Sequence, residues 1–330
     1  MSGAAPAELL AEWIALQAVS PGDRLFRSRR LDHPDGIDLR AGLRETDGAP
    51  CLIARPKTAV DGLALFETGG LRLSRAADPG GTLLVLSLEE PSQRDLFAEV
   101  CSDVVRALVR SEDEGETDLL PELGARLAAW RAFLRDQSGV LSRHEAVGLI
   151  GELLLLEQLI ARNSSAVSLW KSPDDALHDF ENSGHALEVK TSLGSARRLH
   201  VSALDQLDPA GLASLHVAHL RLVEQADGVT LGQLAERISV EFTSDRDRRA
   251  FANALLRRGL APGVDAASGP SVRYAGCEYY EVRSGFPSLS RSTVPPGIAD
   301  AAYQIDVQAL GGFLADGEHV MNCLGDSANG

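Results

Sequence analysis

The sequence contains few cysteines, few aromatic residues and no long hydrophobic run. The four cysteines lie far apart, at Cys51, Cys101, Cys277 and Cys323. They form no Cys-x-x-Cys or Cys/His spacing, which argues against structural zinc and disulfide bonds and favours a reducing cytoplasm. The longest apolar runs, such as Leu153–Leu156, are far too short to span a membrane. We see no N-terminal pattern of a secretion signal.

Positive charge is also scarce, since 32 Lys and Arg residues face 47 Asp and Glu residues and the net charge is −15. Non-specific binding to nucleic acid is driven largely by cationic side chains and the release of counterions. The charge balance therefore counts against a nucleic-acid partner. If one binds, it must use a local basic groove, weakly and with sharp salt sensitivity.

The remaining composition is that of an ordinary globular protein, with 44% hydrophobic and 24% charged residues in 330. Residues 21–90 contain short strand-like segments separated by Gly, Pro and Asp. A helical segment at 91–111 and an acidic stretch, Glu112–Asp118, follow them. We therefore predict an N-terminal β-rich module with flanking helices at residues 1–115 and a second domain at residues 116–330.

The second part alternates helices and strands, which favours an α/β core with a mixed sheet and helices on both faces. Ser142 and Glu145 form a capping box for a helix at about 143–162. That helix is apolar around most of its circumference and carries Glu152, which needs a partner such as Arg, a backbone donor or a metal. His216 and His219 face opposite ways on a strand, and we interpret both as structural.

The segment from Leu177 to Lys190 reads as two short strands joined by a turn at Asn182-Ser-Gly. Glu188 and Lys190 have the same parity, so both project from one side of the second strand. If residues 181–184 form a four-residue loop, Asp179 lies opposite Ala186 and diagonally beside Glu188. Two carboxylates and an ammonium group then lie within reach of one another.

Two adjacent carboxylates raise each other's pKa unless a cation lies between them. Oxygen ligands of this kind suit a hard divalent ion such as Mg²⁺, which lowers the pKa of a bound water and polarises a phosphoryl oxygen. Lys190 can hold or help deprotonate that water, or neutralise charge that develops on a phosphate. An exposed strand face with Asp, Glu and Lys is the simpler alternative.

The residues His178-Asp179-Phe180 and Glu188-Val189-Lys190 resemble the PD-(D/E)XK nuclease superfamily, the fold of many restriction endonucleases. The segments Gly148-Leu-Ile-Gly-Glu152-Leu and Ser202-x-x-x-Gln206-Leu extend the resemblance to a little-characterised bacterial subfamily. His178 stands where the motif has proline. The resemblance implies a restriction-endonuclease-like core and a Mg²⁺ (or Mn²⁺) site with the following residues: Asp179, Glu188 and the Val189 carbonyl on the metal, with Lys190, Glu152 and Gln206 completing the catalytic set.

That subfamily occurs beside DNA methyltransferases and other restriction or phage-defence genes, so the resemblance implies a DNA endonuclease with such partners. Arg197 and Arg198 follow the Glu-x-Lys strand and are candidates for phosphate contacts. The aromatic content of 5% offers no stacking platform for single strands, which favours duplex DNA. An enzyme that cuts both strands of a duplex would be expected to act as a homodimer. Two alternatives stay open: an inactive DNA-binding or scaffold subunit, and an enzyme that cuts RNA or structured junctions.

Overall fold

The structure is a computed structural model that describes residues 5–32, 34–58, 60, 62–135, 141–163, 165–195, 197–262 and 269–325. The chain divides into two compact units. Unit 1 comprises Met1–Gly139 and Ala261–Gly263, and unit 2 comprises Val140–Leu260 and Val264–Gly330. The sequence placed a boundary between residues 115 and 116, whereas unit 1 takes in a further helix. The separate N-terminal module stays a prediction.

Unit 1 combines helices with one six-stranded antiparallel sheet of order β1-β2-β3-β6-β5-β4. Its helices are α1 (Pro6–Gln17), α2 (Arg94–Asp113) and α3 (Leu120–Arg135). Its strands are β1 (Phe26–Arg30), β2 (Asp38–Arg44), β3 (Pro50–Arg55), β4 (Phe66–Thr68), β5 (Leu71–Asp78) and β6 (Gly81–Leu88).

Strand β1 escaped the sequence analysis because its residues, Phe-Arg-Ser-Arg-Arg, show no alternation of apolar and polar side chains. It lies at the edge of the sheet, where a charged strand is common. In the interior of unit 1, Asp103 accepts hydrogen bonds from Arg126 Nε at 2.6 Å and Trp130 Nε1 at 2.7 Å. This buried network joins α2 to α3 and explains why α3 groups with unit 1.

Unit 2 contains a five-stranded mixed sheet of order β13-β11-β10-β8-β7 and a separate two-stranded sheet, β12-β9. Its strands are β7 (Phe180–Asn182), β8 (His185–Leu193), β9 (Arg198–Val201), β10 (Ser214–Val229), β11 (Val272–Glu281), β12 (Tyr303–Asp306) and β13 (Leu314–Ala315). Its helices are α4 (Arg143–Ile160), α5 (Leu231–Glu241), α6 (Asp245–Arg257) and α7 (Gly317–Gly325). The mixed α/β architecture predicted from the sequence is confirmed.

The mixed sheet carries a hydrophobic layer on each face, since β8 and β10 alternate their side chains between two clusters. Leu187 and Leu220 pack with α4 on one face, whereas Ala186 and Val217 pack with the opposite cluster. Strand β8 lies between antiparallel β7 and parallel β10. The residues of β8 that carry the predicted chemistry therefore lie inside the sheet.

Helix α4 approaches β8 closely because Gly151 faces the strand. A Cβ atom on Gly151 would lie only 1.9 Å from Thr191 Oγ1. The capping box expected at the start of this helix is present: Ser142 Oγ accepts from Glu145 N at 3.2 Å, and Glu145 Oε2 accepts from Ser142 N at 2.8 Å. These local features bring Glu152 toward the sheet. Within the described residues no helix is both long and apolar enough to cross a membrane.

Candidate active site

The hairpin of β7 and β8 turns through two residues, not through the four-residue loop expected at 181–184. Phe180 pairs with Leu187 and Asn182 pairs with His185. Ser183 and Gly184 have φ angles of 49° and 84°, the left-handed conformation of a tight hairpin turn. Extending this register by one pair sets Asp179 opposite Glu188, not opposite Ala186. The expected loop was wrong, and the correction makes the two carboxylates direct cross-strand neighbours.

Asp179 lies at the entrance to β7 and is fixed by backbone contacts. Its Oδ2 accepts a hydrogen bond from Val189 N at 2.7 Å, and its own carbonyl accepts one from Lys171 N at 2.7 Å. Burial raises the pKa of this carboxyl well above its ordinary range, and the nearby Glu188 and Glu152 raise it further. The site therefore disfavours negative charge at Asp179 when no cation is bound.

Glu188 is 3% exposed and is held by two donors on one oxygen. Lys190 Nζ lies 2.8 Å from Glu188 Oε1, and Gln206 Nε2 donates to the same oxygen at 2.6 Å. Burial raises the pKa of the Glu188 carboxyl, although the charge of Lys190 acts in the opposite direction. Asp179 and Glu188 thus form a pair of carboxylates in an environment that penalises their joint ionisation.

Gln206 connects the other polar groups of the site. Its Oε1 accepts hydrogen bonds from Lys190 Nζ at 3.1 Å, from Ser202 N at 3.0 Å and from Ser202 Oγ at 3.2 Å. Gln206 lies on a short 3₁₀ helix, Leu204–Leu207, that follows β9. Its amide therefore sets the positions of Glu188 and Lys190 together. The structure places Gln206 beside the two residues that the sequence analysis grouped it with.

Glu152 lies close to the pair but is engaged elsewhere. Its Oε1 accepts from Arg258 Nη2 at 2.6 Å, and its Oε2 accepts from Trp170 Nε1 at 2.8 Å. A carboxylate on an apolar helix was expected to need a partner, but no sequence pattern marked Trp170 or Arg258 for this role. No local signal marks them, because Arg258 is 106 residues away in the chain. The role of Glu152 at a metal site stays a prediction.

His178 occupies the position of the proline in the motif and is 3% exposed. Its Nδ1 lies 2.9 Å from Glu181 Oε1. The two arginines proposed for phosphate contact, Arg197 and Arg198, are both exposed on the surface of unit 2. Arg198 Nη1 reaches Gln304 Oε1 at 3.5 Å, a weak contact. Nucleic-acid binding by these two arginines stays a prediction.

The side chains around Asp179 and Glu188 decide whether a metal ion can bind here. Among the described residues, no group of three or more His, Cys, Asp or Glu side chains is arranged to hold an ion. Asp179 and Glu188 nevertheless supply hard carboxylate oxygens at one place. Burial raises the pKa of each carboxyl, and the charge of Lys190 offsets this only in part. A divalent ion between them would remove that penalty, so the donors fit Mg²⁺ or Mn²⁺.

One comparison with known proteins finds a match. A family model described as "Putative PD-(D/E)XK family member, (DUF4420)" matches residues 9–308. This match covers most of both units. No curated protein and no solved structure matches the chain.

Proposed function

The chain belongs to the DUF4420 family, a member of the PD-(D/E)XK group. From this premise we propose that the protein is a metal-dependent endonuclease that hydrolyses phosphodiester bonds of duplex DNA. The PD-(D/E)XK group is a class of nuclease-type hydrolases. The observation that carries the proposal is the contact of Lys190 with Glu188 at 2.8 Å, opposite Asp179 in the hairpin. Asp179, Glu188 and Lys190 would be the Asp and the Glu-x-Lys of the motif from which the class takes its name.

Asp179, Glu188 and the carbonyl of Val189 are the groups that would hold Mg²⁺ or Mn²⁺. When bound, such an ion acidifies a water molecule and polarises the phosphoryl oxygen. Glu152 would support the metal indirectly, through a water molecule, because Arg258 and Trp170 already occupy both of its oxygens. The burial of Glu188 excludes bulk water from this side of the site and strengthens its electrostatic interactions.

Lys190 would position the attacking water or stabilise the charge that develops on the phosphate. Its ammonium group is fixed between Glu188 Oε1 and Gln206 Oε1, so its direction is set before substrate binds. Such preorganisation lowers the cost of arranging the groups during the reaction. Gln206 would orient both Glu188 and Lys190 without contacting the phosphate.

The test is a cleavage assay on supercoiled plasmid, linear duplex, single-stranded DNA and RNA, each with Mg²⁺, Mn²⁺ or EDTA. We expect cleavage of duplex DNA with either metal and none with EDTA. Lys190→Ala should abolish cleavage and leave the circular dichroism spectrum unchanged. The matched control is Lys57→Ala, since Lys57 is an exposed lysine of unit 1. Cleavage that persists in the Lys190 variant would remove this residue from the mechanism.

A second candidate is a catalytically inactive DNA-binding or scaffold subunit. The pairing of Glu152 with Arg258 favours this candidate, because both oxygens of the helix-borne acid are satisfied without a metal. The net charge of −15 also favours it. Duplex binding without cleavage under every metal condition would support this candidate. A preference for RNA or for branched junctions would instead support the third alternative.

We propose a biological role in restriction or phage defence, in the cytoplasm and beside a DNA methyltransferase or other defence proteins. A homodimer would allow both strands to be cut. Plaque counts on cells that carry wild-type or Lys190→Ala protein test the role, since only the wild type should reduce phage growth. Sedimentation of the purified protein tests the dimer.

A further inference from the structure

Unit 2 contains a cavity of about 450 Å³ beside the candidate active site. It opens between the end of β8, the middle of β10 and the segment that follows β12. The residues that carry its polar chemistry are Arg197, His219, Arg221, Glu278 and Tyr280. Of these, only Arg197 entered the predicted site.

The guanidinium groups of the two arginines of the cavity, Arg197 and Arg221, make no hydrogen bond and no ion pair with another described residue. Most other described arginines of unit 2 contact a carboxylate, a side-chain amide or a carbonyl, as Arg258 does with Glu152. In a chain of net charge −15, two unpaired guanidinium groups at one cavity are an exception. Arginine pairs readily with phosphate through two parallel hydrogen bonds.

His219 provides a second, independent observation. It is 2% exposed, and its Nε2 lies 2.8 Å from Ser192 Oγ. Its Nδ1 is buried and has no partner, which is costly for a polar group. If Ser192 donates to Nε2, the neutral imidazole carries its proton on Nδ1, which leaves a buried donor without a partner on a residue that lines the cavity. An anionic oxygen would satisfy this donor.

One acidic residue, Glu278, also lines the cavity. Its Oε2 accepts a hydrogen bond from Tyr280 Oη at 2.8 Å, so part of its charge is already engaged. Glu278 and His219 face each other in the β10–β11 register. Two arginines against one carboxylate leave the cavity with a net positive charge. The carboxylate weakens anion binding without cancelling it.

The cavity lies on the same face of the sheet as Lys190. His219 pairs with Lys190 in the parallel β8–β10 register, and Ser192 follows Lys190 by two residues on that face. Two residues of a strand span about 7 Å, and neighbouring strands lie about 5 Å apart. A single nucleic-acid strand is therefore long enough to contact both places.

We propose that this cavity binds a backbone phosphate of the nucleic-acid substrate, next to the phosphodiester bond that is cleaved. The identity of the ligand rests on the proposed function, whereas anion binding itself does not. Arg197 and Arg221 contact the phosphate oxygens, and His219 Nδ1 donates a hydrogen bond. The contacts are to the backbone, so they position the substrate and carry no base specificity.

The first test uses inorganic phosphate and the imidazole ¹⁵N signals of the full chain. Phosphate should change the chemical shift of the protonated His219 Nδ1 and saturate, while the Nδ1-protonated tautomer is kept. Arg221→Gln should weaken this binding about tenfold, as expected for a lost charged hydrogen bond, and Glu278→Gln should strengthen it. Arg246→Gln is the matched control, because Arg246 is exposed and does not line the cavity. Unchanged His219 signals would overturn the proposal.

The second test measures duplex DNA binding in EDTA at several salt concentrations. The double variant Arg197→Gln/Arg221→Gln should lower the slope of log K against log salt by about 1, because both arginines contact the same phosphate. If the slope is unchanged and the wild-type protein cleaves duplex DNA, the cavity proposal is overturned and the proposed function stands. Arginine-dependent binding without cleavage in Mg²⁺ would overturn the proposed function and support the cavity.

Discussion

Replacing Gln206 by leucine tests how strongly the site depends on one amide. The change removes the donor to Glu188 Oε1 at 2.6 Å and the acceptor for Lys190 Nζ at 3.1 Å. A hydrogen bond to a charged group contributes about 1.5–3 kcal/mol, and a buried group left without its partner costs a similar amount. Glu188 is 3% exposed, so water replaces the lost donor poorly. Ser202 N is exposed and regains a partner from water.

We therefore expect Gln206→Leu to lower the free energy of unfolding by about 2–4 kcal/mol. For a unit of this size that is a fall in Tm of about 4–16 °C. Thermal unfolding followed by circular dichroism measures it. The matched control is Gln304→Leu, because Gln304 is exposed and has only a 3.5 Å contact with Arg198. The control should change stability by less than about 0.5 kcal/mol.

The same variant should also lose cleavage, since Lys190 and Glu188 would no longer be held in their present directions. A Gln206→Leu protein that unfolds at the wild-type temperature would refute the reasoning, because it would show that the amide carries no net stabilisation. Loss of stability with full cleavage would refute only the orienting role.

Two further predictions concern the charges of the site. The raised pKa values of Asp179 and Glu188 mean that the folded protein binds protons more tightly than the unfolded chain. Without metal, stability should therefore fall as pH rises from about 4, the ordinary carboxyl pKa, to the raised values, and Mg²⁺ at pH 8 should restore it. Asp179→Asn should flatten this dependence in thermal unfolding, and equal pH slopes would contradict it. Arg258→Leu should destabilise by about 1.5–3 kcal/mol because it leaves Glu152 buried with one partner. Adding Glu152→Gln should recover part of the loss in urea unfolding, whereas strict additivity of the two changes would contradict the pairing.

The features that sequence predicts well are local ones. The capping box of Ser142 and Glu145 depends on residues three apart, and it forms as expected. The Glu-x-Lys parity of β8 likewise follows from the alternation of a strand. Gln206 was named through the resemblance, and Ser202, four residues earlier in the chain, holds it with its amide and hydroxyl. Each of these depends on neighbours along the chain.

Features that depend on distant residues escape such analysis. The partner of Glu152 comes from the far end of α6, and β9 pairs with β12 about a hundred residues later. The hairpin loop was predicted too long because Ser183 adopts a positive φ angle of 49°, which non-glycine residues rarely adopt. His219 was interpreted as structural, and only the structure shows its unpaired Nδ1 beside a cavity.

The central claim is that Asp179 and Glu188 together hold a divalent ion beside Lys190. A crystal grown with Mn²⁺ and measured for anomalous scattering tests it most directly. We expect one strong peak in contact with both carboxylates, and its loss in Asp179→Asn crystals. A Mn²⁺-saturated crystal with no peak between these two side chains, or with the ion bound elsewhere while DNA is still cleaved, would contradict it.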